Sequence, residues 1–278
     1  MAQRATDVVA AKARTRKLTI VAQDPAVTGT DGNILTADVD VPAEELARGP
    51  WGHRVHVIDY DGSTRTLYKP LEYAADRDGV PKDRFRKPSQ TTILGDPQFH
   101  AQNVYAIVMR TLARFEFALG RRVSWGFRGH QLNVAPHAFA DANAFYTERD
   151  QALLFGYFPG RRGTVFACLS HDVVAHETTH ALVDGLRERF TDPSSPDQAA
   201  FHEGFADVVA LLSLFSLRDV TRMGASTRRR KRCGTSFREK TPTATRRGAC
   251  RPSCRRCRAS MAVSIAGPRC RGASWCRR

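Results

Sequence analysis

The chain lacks any run of about 18 consecutive apolar residues, which excludes a conventional membrane-spanning helix. The segment before Asp24 is basic but has no apolar stretch, so we expect no secretory signal. The compartment is therefore unknown, with the cytoplasm as the default expectation. Histidine is absent beyond His202. By contrast, 42% of the 278 residues are hydrophobic, which is enough for a sizeable core and excludes a wholly disordered chain.

The formal net charge of +15 comes from one end of the chain. Residues 221–278 hold 18 of the 43 Lys and Arg residues, one of the 28 acidic residues and six of the seven cysteines. The rest of the chain therefore carries 25 basic and 27 acidic side chains, so the overall charge says nothing about the main body. We divide the chain into a basic flexible arm (1–17), a strand-rich region (18–95), a mixed region (96–220) and an Arg- and Cys-rich tail (221–278).

Strand and turn signals dominate the region from Leu18 to about Phe85. A short strand is predicted at Leu18–Ala22. Two further strands, Arg54–Asp59 and Thr64–Tyr68, are predicted to pair as a hairpin, because residues 60–63 between them favour a turn.

Helical periodicity begins at Asp96, an N-cap residue followed by proline, and this first helix ends before Gly120. A second helix is predicted from Ser170 to about Asp184, with Gly185 as its stop, and a third from Asp197 to about Leu217. Four strand-like segments lie between the first and second helices: Arg122–Phe127, Gln131–Val134, Ala152–Phe158 and Thr164–Cys168. This order predicts an α+β fold.

The second predicted helix contains His176-Glu177-Thr178-Thr179-His180, which has the H-E-x-x-H pattern. Residues four apart lie on one face of a helix, so both imidazoles can bind one Zn²⁺. Glu177 lies at the edge of that face, where it can take a proton from an activated water. The alternative is that these are ordinary helix residues, solvated or hydrogen-bonded in a core.

The next predicted helix carries Glu203 and Asp207, again four residues apart. A catalytic zinc needs a third protein ligand, which Glu203 could supply. Asp207 could accept the second ring N–H of a ligating histidine and so fix its tautomer, or it could be an ordinary helix-face carboxylate. His171 and His202 flank the motifs with the wrong helical phase for ligands, so we expect surface or supporting positions for them. Cys168 is expected to be a buried strand residue.

At these motifs the sequence resembles the thermolysin-like zinc metallopeptidases, the gluzincins. The matching stretches are DVVAHETTHALVDG (Asp172–Gly185), HEGFADVVALL (His202–Leu212) and ANAFY (Ala142–Tyr146). The resemblance covers roughly Asp96 to Leu217 and implies a zincin-like catalytic half within 96–220.

The resemblance also implies roles for particular residues. His176, His180 and Glu203 would bind one catalytic Zn²⁺, with Glu177 as the general base and Asp207 orienting a ligand. Asn143 and Ala144 would belong to an edge strand that hydrogen-bonds the backbone of a peptide substrate, although an asparagine at a turn is also common.

The chain departs from the family in three respects. The C-terminal helical lobe, with its oxyanion-binding histidine, has no counterpart. The segment Arg187–Thr191 lacks the family's tyrosine donor. Calcium has little support, because its expected ligand positions hold Leu214, Phe215 and Arg222, although Asp172 matches one ligand.

Two functions follow as hypotheses. The first is a zinc metalloendopeptidase that hydrolyses peptide bonds, with activity impaired by the missing lobe. The second is a non-catalytic zinc-binding protein whose basic tail associates with nucleic acid. The tail favours the second hypothesis only weakly, because its cysteine spacing matches no regular zinc pattern and its aromatic residues are isolated.

We expect the basic tail, from about residue 221, to be a solvated, disordered segment and an out-of-frame or otherwise aberrant extension. Its composition changes abruptly to Arg, Ala, Ser, Gly, Pro and Cys, with no Asp or His. Nucleotide sequencing around codons 215–225 should show that another frame encodes a helical segment bearing a histidine. Two alternative frames without such a segment would contradict this expectation.

Overall fold

The structure is a computed structural model that describes residues 15–29, 31–74, 82–127, 129–161, 163–187, 194–218 and 220–221. Most of the predicted basic arm and, except for Thr221, the whole predicted tail lie outside these residues. The described residues form nine strands: β1 (Thr15–Val21), β2 (Thr36–Pro42), β3 (Val55–Val57), β4 (Tyr60–Asp61), β5 (Thr66–Leu67), β6 (Leu132–Phe139), β7 (Ala144–Thr147), β8 (Ala152–Gly160) and β9 (Gly163–Phe166). Four α-helices accompany them: α1 (Gln90–Gly95), α2 (Pro97–Leu119), α3 (His171–Leu186) and α4 (Pro196–Phe215).

The main sheet has the strand order β3-β6-β8-β7, with β9 also paired to β8. Strands β3, β6 and β8 run parallel, and β7 is antiparallel to β8. Strand β7 therefore forms one edge of the sheet. The mixture of sheets and helices confirms the predicted α+β class.

The β1–β2 hairpin packs against α2, and the sequence predicts only part of it. Strand β1 (Thr15–Val21) begins three residues before the predicted strand Leu18–Ala22, within the predicted flexible arm, and ends one residue before it, whereas β2 was not predicted. Its alternation of buried and exposed residues is nevertheless regular, because Ala37, Val39 and Val41 are buried and their neighbours are not. Such alternation is the pattern of a strand with one face toward a core.

The predicted hairpin between Arg54–Asp59 and Thr64–Tyr68 is wrong. Strand β3 pairs with β6 instead. The antiparallel pair forms farther along the chain, between β4 and β5. The reason is Asp61, whose Oδ1 accepts the Ser63 amide at 2.8 Å and whose Oδ2 accepts the Thr64 hydroxyl at 2.7 Å. These side-chain bonds place the turn after Asp61.

The predicted strand Arg122–Phe127 is also absent. The Arg54 guanidinium donates to the Val123 carbonyl, and Trp125 Nε1 donates to the Arg54 carbonyl at 3.2 Å. Hydrogen bonds from side chains to backbone carbonyls therefore take the place of the hydrogen bonds that a neighbouring strand would provide. The predicted strand Thr164–Cys168 ends early, at Phe166, and a short 3-10 helix (Ala167–Leu169) follows it. Cys168 is buried as expected, but in that helix rather than in a strand.

Helix α2 begins and ends as predicted. Asp96 Oδ1 accepts the Gln98 amide at 2.9 Å, Pro97 occupies the first turn, and Gly120 ends the helix with a φ of 66°. Much of α2 is buried, so this helix forms the centre of the core. The short helix α1 before it was not predicted. Among the described residues, no helix is both long and apolar enough to cross a membrane.

Helix α4 buries a different face from the one that its large residues suggest. The buried residues are Ala206, Ala210, Ser213 and Leu214. The bulky side chains of Val208, Leu212 and Phe215 are 52%, 61% and 54% exposed. Small residues on the buried side allow α3 and α4 to pack closely.

Gly185 does not stop α3, which continues to Leu186. A Cβ atom at Gly185 would collide with the Ser124 carbonyl oxygen, so the glycine allows the backbone before Trp125 to lie directly against the helix. Gly204, in α4, has no atom within 4 Å of an added Cβ.

We expect opposite effects from alanine at these two helical glycines. Gly185→Ala should lower the free energy of unfolding by about 1–3 kcal/mol, because the new methyl group overlaps backbone that cannot move freely. Gly204→Ala, the matched control, should raise it by about 0.5–1 kcal/mol through helix propensity. Urea denaturation with a metal chelator present measures both. Equal stabilisation by the two substitutions would contradict the close contact at Gly185.

Candidate metal centre

Three predicted ligands converge between α3 and α4. His176 and His180 lie one turn apart on α3, and their Nε2 atoms are 2.9 Å apart. Glu203 Oε2, from α4, lies 3.2 Å from His176 Nε2 and 3.6 Å from His180 Nε2. One ligand atom from each residue lies within 4.8 Å of the others, which is the spacing of a group that can hold one metal ion.

Asp207 lies behind His176, as the sequence predicts for an orienting carboxylate. Its Oδ1 is 2.9 Å from His176 Nδ1. This contact assigns the ring proton to Nδ1, since an ionised carboxylate only accepts. The lone pair of Nε2 is then directed toward His180 and Glu203.

His180 is held in its neutral form. Burial, with smaller contributions from the neighbouring His176 and His202, lowers its pKa to about 3. The His202 ring stacks on His180, with ring centroids 4.4 Å apart and planes 13° apart. A neutral imidazole is the form that binds metal, so the surroundings of His180 suit a ligand.

Two neutral imidazoles and one carboxylate form a donor set that Zn²⁺ accepts, with room for a fourth ligand. The residues present therefore fit zinc.

Glu177 lies beside this group and faces the edge of the sheet. Its side chain is buried, with 8% exposure, and its Oε2 accepts the Tyr146 backbone amide of β7 at 3.1 Å. Burial raises the pKa of Glu177 to about 8, the Glu203 carboxylate adds to the rise, and the Tyr146 amide opposes it. A pKa near neutrality suits a group that gains and loses a proton during turnover.

A cleft of about 310 Å³ separates β7 from the two helices. The described residues that line it are Ala144, Phe145, Tyr146, His176, Glu177, His180, His202 and Glu203. The structure thus brings Ala144 to the cleft together with the predicted ligands and base.

Asn143 is placed differently from Ala144. It is exposed, it precedes β7, and it is not among the residues that line the cleft. Its carbonyl accepts the Gly156 amide at 2.8 Å, and its side chain accepts the Ala144 amide at 2.9 Å. In this conformation Asn143 supports the start of the edge strand.

Sequence reasoning missed the role of Tyr146, whose hydroxyl donates to Asp184 Oδ2 at 2.9 Å while its amide contacts Glu177. The position of His171 was also predicted wrongly. This residue is fully buried, and its Nε2 lies 3.0 Å from Ser213 Oγ of α4, so it belongs to the core. His202 lines the cleft beside a ligand, consistent with a supporting position.

No model of a known protein family matches the chain, and no curated protein is significantly similar to it.

We expect Asp207→Ala to weaken zinc binding by about 10–100-fold, because His176 Nδ1 loses its acceptor. Asp207→Asn keeps an oxygen in place and should lose much less. Asp197→Asn, on the first turn of the same helix, serves as the control and should bind zinc like the wild type. Competition with a chromophoric chelator measures all three affinities. Wild-type affinity in Asp207→Ala would contradict the orienting role.

Proposed function

We propose that this chain is a zinc-dependent endopeptidase with a zincin-like catalytic half. One observation carries the proposal: a single cleft holds a three-residue metal-binding group, a buried carboxylate beside it and the edge of a β-sheet. The resemblance of the motifs to thermolysin-like metallopeptidases supports the same function.

His176, His180 and Glu203 would hold the ion. Zinc bound there supplies Lewis acidity toward a water molecule and the scissile carbonyl. Glu177 accepts the proton of the attacking water and returns it to the leaving amine. The Tyr146 amide holds one oxygen of Glu177, so the carboxylate stays oriented toward the cleft during both transfers.

The edge strand suits an extended peptide substrate. Strand β7 ends the sheet order, and no described strand pairs with its outer side. Main-chain hydrogen bonds along such an edge bind a peptide regardless of most of its side chains. Ala144 has a small side chain, which allows a substrate backbone to approach β7 closely.

Turnover should be slow. The only tyrosine hydroxyl among the described cleft-lining residues, that of Tyr146, already donates to Asp184. The loss of one oxyanion donor typically costs about 10²–10³ in turnover. We therefore propose that peptide hydrolysis is detectable but weak in this chain.

We expect Glu177→Gln to reduce hydrolysis of a fluorescently labelled unfolded protein such as casein by at least about 10²-fold, because a general base is lost. Its zinc content should remain that of the wild type. Glu148→Gln, at the end of β7 and outside the cleft, is the matched control and should keep full activity. His176→Ala should lose the cleft zinc and the activity together.

Two outcomes would contradict the proposal. One is equal hydrolysis by Glu177→Gln and the wild type, which would place the activity elsewhere. The other is a zinc-loaded wild type with no measurable hydrolysis at all, which would leave a non-catalytic zinc-binding protein.

A further inference from the structure

A second group of metal-binding side chains lies in the core and shares no residue with the cleft. It consists of His100 on α2, His137 on β6 and Cys168 in the short 3-10 helix. Their ligand atoms lie within 4.8 Å of one another, and their exposures are 1%, 2% and 0%. Three separate elements therefore direct two imidazoles and a thiol to one buried point.

The hydrogen bonds of the two histidines assign their protons away from that point. His100 Nε2 lies 2.8 Å from the Ile93 carbonyl oxygen, which only accepts, so Nε2 carries the proton. His137 Nδ1 lies 2.8 Å from Asp59 Oδ2, and Asp59 Oδ1 also accepts the His137 amide at 3.2 Å. An ionised Asp59 therefore assigns the His137 proton to Nδ1.

The remaining ring nitrogens then face each other without a proton between them. His100 Nδ1 and His137 Nε2 are 2.7 Å apart. Two lone pairs at this distance repel unless a proton lies between them. A zinc ion, with Zn–N bonds of about 2.0–2.1 Å, would replace that proton with the two nitrogens farther apart.

Cys168 adds a donor that a shared proton does not need but a metal ion does. Burial raises the pKa of its thiol, and the nearby Asp59 charge acts in the same direction. The thiol therefore ionises in this core only if a cation binds it, as thiolate ligands of metals do.

We infer that His100, His137 and Cys168 form a second, structural zinc site, with Asp59 and the Ile93 carbonyl holding the outer nitrogens of the two histidines. Two imidazoles and a thiolate are ligands that zinc prefers, and a carboxylate behind a ligating histidine is the usual support. Zn²⁺, the Cys168 thiolate and the Asp59 carboxylate together carry no net charge, which suits a buried position. Cu⁺ would leave a net negative charge, so zinc is the better fit.

Aromatic rings pack around the His137 ring, and a surface groove lies near one side of the site. The rings of Phe166 and Tyr68 each lie 5.1 Å from the His137 ring. Asp59 and Tyr68 also line a surface groove of about 460 Å³.

The experiment uses the full chain with its tail cysteines changed to serine, so that Cys168 is the only thiol. The six replacements are C233S, C250S, C254S, C257S, C270S and C276S. On this background, Cys168→Ser removes a ligand of the core site and His176→Ala removes a ligand of the cleft site. The chains are loaded with Zn²⁺, Co²⁺ or Cu⁺ and desalted, and bound metal is counted by elemental analysis.

We expect two zinc equivalents in the background chain, one in Cys168→Ser and one in His176→Ala. The cobalt form should show a sulfur-to-metal charge-transfer band that survives His176→Ala and disappears in Cys168→Ser. Because the core site is read in the His176→Ala chain, this result does not depend on the proposed peptidase function.

Three results would overturn the inference. They are a folded His176→Ala chain that binds no zinc, a cobalt form without a thiolate band, and a core site that takes Cu⁺ but not Zn²⁺. The first would mean that a shared proton occupies the space between the histidines. If Cys168→Ser fails to fold, Asp59→Asn in the His176→Ala chain decides. It should weaken the remaining zinc affinity by about 10–100-fold, and unchanged affinity would also overturn the inference.

Discussion

The contact between α3 and α4 determines whether the candidate ligands meet. Small residues of α4, Ala206, Ala210 and Ser213, are buried on the side toward the core, and they allow the two helices to approach closely. His171 joins Ser213 toward one end of this contact, and His176 joins Asp207 toward the other. Rotation of either helix about its axis would therefore disturb the His171–Ser213 contact and the His176–Asp207 contact together. The ligand arrangement is therefore a property of helix packing as much as of the ligands themselves.

The parts of the site that could be predicted from the sequence are those that depend on helical spacing. His176 and His180 form one pair four residues apart, and Glu203 and Asp207 form another, so each pair shares a helix face whatever the rest of the fold does. The structure places all four side chains together. The His100 and His137 pair is 37 residues apart in the chain and spans two different elements, so no local pattern indicates it.

The predictions that were wrong fail because of side-chain and backbone contacts that the pattern of apolar residues does not reveal. Gly185 is a residue type that commonly ends helices, but here it lies inside α3 and allows the backbone at Ser124 to pack against the helix. Asp61 moves a turn by accepting two hydrogen bonds that a pattern of apolar residues does not reveal. The contact at Gly185 depends on a partner distant in sequence, whereas the hydrogen bonds that Asp61 accepts are local.

The exposed side of α4 has a consequence for the local stability of the metal centre. Helices gain most of their stability from burying one face, and the buried face of α4 consists mainly of small side chains. Its amides should therefore exchange with solvent through local opening at a lower free energy than those of α2, which is buried over much of its length. Glu203 and Asp207 belong to this less protected unit, whereas both histidine ligands belong to α3. Ordering α4 therefore offsets part of the free energy of binding an ion. The measured affinity then depends on the fraction of molecules in which α4 is already packed against α3.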